Sequence, residues 1–156
     1  MPVVAASYIL AASLALGAAE IPSESRNADP SEVACLALNV YHEARGESAK
    51  GQAAVAHVTL NRVRSARYPD RVCEVVTQKW SGVCQFSWYC DRRSDQPLDM
   101  AAFDKSMRVA LDVVSGRRAD PTGGATYFIA RSIAEPDWAQ RLTRTVSIDG
   151  HHFYRR

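Results

Sequence analysis

Hydrophobic positions recur at helical spacing through the first two thirds of the chain and alternate in short runs near its end. Residues 20–30 are polar and hold Pro22 and Pro30, which predicts a linker. Asp29 as N-cap, Pro30 at the first helical position and Glu32 three residues after the cap then predict a helix opened by a capping box. Leu36, Val40 and Glu43 share one face of this helix, which should run to about Arg45 and stop at Gly46. Ser48 or a neighbour caps a second helix from Ala49 to about Arg64. Ala54, Val55, Val58, Asn61 and Val63 point inward and Arg62 and Arg64 outward. Tyr68-Pro69 ends it, because the residue before proline is pushed out of the helical region.

A shorter helix is expected over 71–78, with Val72, Val75 and Val76 inside. Residues 80–91 are dense in aromatics, bracketed by Cys84 and Cys90, and fit no helical period, so a loop or short strand is predicted. The longest amphipathic helix covers 98–115, with Gly116 as its stop. Residues 120–124 form a turn and 125–130 a strand, while 143–148 and 151–154 read as a hairpin joined by a type I′ turn at Asp149-Gly150. The expected fold class is α+β, mainly α, in one domain with a small β-hairpin near its C-terminus.

Composition agrees with one globular core: 156 residues, 47% hydrophobic and 23% charged. A formal charge of +2 is too small to argue for nucleic acid. Residues 1–19 carry no charge, and Gly17, Ala18 and Ala19 fit a signal-peptidase site. No Lys or Arg precedes the run, so two expectations stand: a cleaved export signal, or a releasable anchor at the inner membrane. Either places the domain in the periplasm or on the outer face of that membrane. In such a compartment the four cysteines are expected to pair. Cys84 with Cys90 would close a short loop and Cys35 with Cys73 would tie the first helix to the third, although four cysteines allow three pairings.

His42-Glu43 begins like the zinc motif His-Glu-x-x-His, but Gly46 stands where the second histidine belongs. The other histidines lack ligand spacing, so neither metal nor cofactor is expected. A cysteine nucleophile at Cys35 served by His57 competes with disulfide pairing, and no Gly-x-Ser-x-Gly elbow occurs. Glu43 remains. A carboxylate ending an apolar stripe where the chain turns is half desolvated, which raises its pKa and suits a general acid. Glu47 follows the glycine and reads first as a solvated charge. Trp80, Phe86, Trp88 and Tyr89 read as core or as a platform for sugar rings.

Several blocks, in order, resemble a known family: Tyr41-His-Glu-Ala-Arg-Gly-Glu47, Gly51-Gln-Ala-Ala-Val-Ala-His-Val-Thr-Leu-Asn-Arg-Val63, Tyr68-Pro69, Cys84-Gln-Phe-Ser87, Asp120-Pro-Thr-Gly-Gly-Ala-Thr-Tyr127 and His152-Phe-Tyr154. The family is the SleB-like cell wall hydrolases, the spore cortex-lytic type. The resemblance implies a lysozyme-like catalytic domain over 31–156 that acts on peptidoglycan as a monomer. It implies cleavage between N-acetylmuramic acid and N-acetylglucosamine, by lytic transglycosylation or hydrolysis, with Glu43 as catalytic acid and base. Glu47, Gln85, Ser87 and Tyr127 are its expected substrate-binding residues. The four cysteines and the uncharged apolar start depart from the spore enzymes, and suit a phage endolysin or an exported wall-remodelling enzyme. An amidase that cuts the muramoyl-alanine bond, or a non-catalytic wall-binding module using 86–89, are the alternatives.

Overall fold

The structure is a computed structural model that describes residues 28–156. The signal or anchor expected at 1–19 lies outside the described residues. Among the described residues the helices are α1 (Pro30–Ala44), α2 (Ala49–Val63), α3 (Val72–Val76) and α4 (Met100–Val114). Between α3 and α4 lie two short antiparallel strands, β1 (Lys79–Trp80) and β2 (Val83–Cys84), and a 3-10 turn at Ser87–Cys90. Strands β3 (Tyr127–Ala130), β4 (Thr143–Ile148) and β5 (His151–Arg155) form an antiparallel sheet in the order β3-β5-β4. The mainly α fold with a C-terminal hairpin agrees with the sequence pattern. No helix among the described residues is long and apolar enough to cross a membrane.

Helix α2 is the centre of the domain. Ala53, Ala56, Leu60 and Val63 pack into the core formed with Leu36 and Val40 of α1, Val75 of α3 and Val109 of α4. Its opposite side, Ala54, Val55 and Val58, meets Ala125, Ile148 and Phe153 of the sheet region. A helix apolar on every side must be buried on every side, and the run of small alanines lets both layers approach closely. Several of its polar residues find partners inside the domain. Thr59 accepts from the Asn39 amide at 3.2 Å, and the Asn39 carbonyl accepts from Trp88 Nε1 at 2.9 Å. Asn61, inward as expected, donates to Asp120 at 2.9 Å and to the Ala125 carbonyl at 3.0 Å. Asp120 also accepts from Thr122 and Gly124, so the predicted 120–124 turn is fastened to α2.

Three local expectations are corrected. Glu32 makes no capping box: Asp29 accepts from the Ser31 N–H, while buried Glu32 takes Arg71 and the N–H groups of Val72 and Cys73. A residue expected to cap its own helix thus caps α3. The Asp149-Gly150 turn is not type I′, which needs positive φ at both residues; Asp149 has φ 47° and Gly150 is not in that region. Arg62, expected outward, is buried. Both disulfides have the partners named from spacing, Cys35–Cys73 and Cys84–Cys90.

Candidate active site

Glu43 and Glu47 line one open cavity of about 590 Å³, together with Ala130, Arg131, Ser132 and the turn residues through His151. The site is a junction between the α1–α2 connection and the β4–β5 turn. Ser48, the N-cap of α2, donates through its backbone N–H at 3.0 Å and its hydroxyl at 2.6 Å to Asp149. The Ser48 hydroxyl contact holds the Asp149 carboxyl below its ordinary range. On the helix side, the Glu47 carbonyl accepts from Gln52 at 3.3 Å and Lys105 at 3.3 Å. The two acids come from either side of the Gly46 stop, as the sequence pattern has it.

Their environments differ. Glu43 is pushed up to about 7, because burial opposes its charged form and the Arg62 cation only partly offsets this. Glu47 instead accepts from the Gly150 N–H at 3.1 Å, with His151 Nδ1 3.9 Å from its other oxygen. Burial lowers His151, against the opposing pull of Glu47 and Asp149, so near neutral pH the imidazole is uncharged. The two side chains on one cavity thus differ in what holds them: burial keeps a proton on Glu43 near pH 7, while Glu47 is tied to the turn by the Gly150 N–H.

The remaining expected site residues lie elsewhere. Gln85 and Tyr127 line a second, larger cavity of about 1110 Å³, with Arg62, Tyr68 and Phe128 among its walls. Ser87 is exposed at the start of the 3-10 turn and lines neither cavity. Strand β3 connects the two cavities, since Tyr127 and Phe128 face the larger and Ala130 the smaller. Arg62 links them electrostatically, lining the larger cavity while its charge acts on Glu43. Phe86 and Trp88 are core; Trp88 stacks on His42 with ring centres 4.4 Å apart. Tyr89 and Trp80 are exposed.

Sequence reasoning missed Arg62 and His151. Arg62 sits at the end of α2 with its guanidinium carbon 5.3, 5.1 and 5.9 Å from the rings of Tyr68, Phe86 and Tyr127, and its Nε donates to the Thr126 carbonyl at 2.8 Å. The aromatic residues of the Tyr68-Pro69 and 120–127 blocks were the available signal. Among the described residues, no three or more His, Cys, Asp or Glu side chains are grouped as metal ligands would be.

The family description Cell Wall Hydrolase matches residues 46–154. The chain belongs to this family, in its SleB-like branch. The matched span includes Glu47 and begins three residues after Glu43. A spore cortex-lytic enzyme of Halalkalibacterium halodurans is 33% identical over 122 residues, 78% of this chain and 34% of that protein. The chain spans less than half the length of the curated relatives it matches. The crystal structure of the catalytic domain of the Bacillus cereus SleB protein is 31% identical, with TM-score 0.65 over 80% of this chain and 89% of that one. The catalytic domain of the germination-specific lytic transglycosylase SleB from Bacillus anthracis is 29% identical, with TM-score 0.64 over 81% and 95%.

Proposed function

We propose that this domain cleaves the glycan strand of peptidoglycan between N-acetylmuramic acid and N-acetylglucosamine, with Glu43 as general acid and then base. The observation that carries the reading is the raised pKa of Glu43, about 7, on the wall of an open cavity. Near neutral pH such a carboxyl has a proton to give to the glycosidic oxygen and afterwards has the basicity to take one back. Glu47 lines the same cavity, but its carboxylate is engaged by the Gly150 N–H. This supports a single-acid route in which Glu43, as base, helps the muramic C6 hydroxyl attack the anomeric carbon. In that route Glu43 gives its proton to the leaving sugar oxygen as the C1–O bond breaks, and the resulting carboxylate then takes the C6 hydroxyl proton as the C6–O–C1 bond forms, giving a 1,6-anhydro end. Glu47 orders the turn beside it. Gln85 and Tyr127, on the larger cavity, are proposed to contact flanking sugars; Ser87 borders neither cavity, and no contact is proposed for it.

The domain layout proposed with this reading is an exported domain over 31–156 preceded by a linker at 20–30 and a signal or releasable anchor at 1–19. The two disulfides suit an oxidising compartment, and a monomeric endolysin or wall-remodelling enzyme fits that arrangement. The deciding experiment is mass spectrometry of purified sacculi digested by the unaltered chain and by Glu43→Gln. Anhydro-muropeptides from the former and none from folded E43Q support the reading. Reducing muramic ends would make the enzyme a hydrolase, free stem peptides would make it an amidase, and product from E43Q would remove Glu43 from the chemistry.

A further inference from the structure

The larger cavity carries a charge pattern that glycan cleavage by itself does not require. Arg62, Arg67, Arg141 and Arg156 all line it, and no acidic side chain among the described residues does. Arg62 is 6% exposed, and its Nη1 is buried without a hydrogen-bond partner although its Nε is satisfied. A buried guanidinium donor left unpaired is costly, and the cost is relieved when an acceptor enters the cavity beside it. Gln78 Oε1, on the same wall, is a second buried polar atom without a partner. Trp80 and Trp138 line the cavity too and are 68% and 41% exposed, so both indoles leave surface for a ligand, with the Trp138 ring 5.7 Å from that of Tyr127. Arginine is the side chain best shaped to grip a carboxylate with two parallel hydrogen bonds, and tryptophan faces stack on sugar rings.

We propose that this groove binds glycan strands whose muramoyl residues carry peptide carboxylates, the indoles taking the sugar rings and the guanidinium groups taking the carboxylates. The inference rests on the glycan-strand reading above and adds to it the substrate class: an anionic, peptide-bearing strand in preference to a neutral one. Arg67, Arg141 and Arg156 are the exposed members that meet the peptides, and Arg62 is the buried one that sits nearest Glu43 electrostatically.

The test uses the full chain carrying Glu43→Gln, so that ligand is bound and not consumed, with tryptophan fluorescence as the readout. It is titrated with a soluble strand of two disaccharides bearing stem peptides, and with the same strand after its carboxylates are converted to amides. The expected result is about tenfold tighter binding of the native strand at low salt, a gap that narrows at about 0.5 M salt. In R67Q/R141Q/R156Q the gap should vanish while the unfolding midpoint stays; if the triple protein is destabilised, R67Q and R141Q singly should each narrow it. Equal affinity for the two strands, or a gap that these substitutions leave unchanged, overturns the proposal. Failure of the glycan-strand reading shows separately, as sacculus digests without a glycan-cleavage product.

Discussion

The Gly150 N–H donates to the Glu47 carboxylate at 3.1 Å, and a Cβ at Gly150 would lie 2.7 Å from the other Glu47 oxygen. The glycine leaves room for the Glu47 carboxylate and does not serve a positive φ. Gly51 has the matching role on α2, where a Cβ would collide with the Asp149 carboxylate. Because the crowded atom is the free end of the Glu47 side chain, Gly150→Ala should push that carboxylate aside and cost on the order of 1 kcal/mol for the hydrogen bond given up. It should also lower activity on sacculi, because the cavity wall moves. Denaturant unfolding alongside a turbidity assay checks both, and an unchanged midpoint would show that the contact is slack.

An isosteric amide at each acid separates their roles. Glu43→Gln removes the proton donor and should reduce the rate by about 10²–10⁴. Glu47→Gln keeps an oxygen to accept from Gly150, so the turn survives and the loss should be within about tenfold. Equal losses from both would mean that the two carboxylates work as a pair. The comparison is made on soluble strands by measuring product release.

The raised pKa of Glu43 has two consequences with opposite readouts. A general acid acts when protonated, so kcat/KM should fall as pH rises through about 7. For stability, the group is protonated in folded and unfolded chains below about 4.5, and above about 7 only the folded chain must hold a desolvated carboxylate. Stability should therefore fall with pH between those values, and E43Q should be the more stable protein above pH 7, by on the order of 1–3 kcal/mol. Melting curves at pH 4 and pH 8 for both proteins check this; a wild-type curve that rises with pH, with E43Q no more stable at pH 8, would show that the carboxyl is solvated.

How much of this was legible in the chain differs by residue. The α1 stripe ending at Glu43 was readable because its period and its stop at Gly46 are local. Glu32 was misassigned because its partners, Arg71 and the start of α3, are brought to it by the fold across about 40 residues of sequence. Arg62 was placed outward by helical phase alone, which assumes one buried face, whereas α2 is enclosed between two layers. Gln85, Ser87 and Tyr127 were grouped with Glu43 through family resemblance. Separation along β3 divides Gln85 and Tyr127 from Glu43, and nothing in spacing announces that.

Arg62 should set the position of the Glu43 titration. Its charge is the opposing influence that lowers Glu43 against burial, so removing it moves the carboxyl pKa further up. Arg62→Gln should shift the alkaline limb of the pH–rate profile to higher pH, and a carbon-13 carboxyl titration followed by NMR should move in step. The substitution also gives up the hydrogen bond to the Thr126 carbonyl and contacts with three rings, so a stability loss of roughly 1–3 kcal/mol accompanies it. Arg62→Lys keeps the charge but not the planar stacking. It should therefore return the limb toward its original pH while restoring only part of the stability. If the limb stays in place in R62Q, the Arg62 charge does not reach Glu43, and burial alone sets the acid.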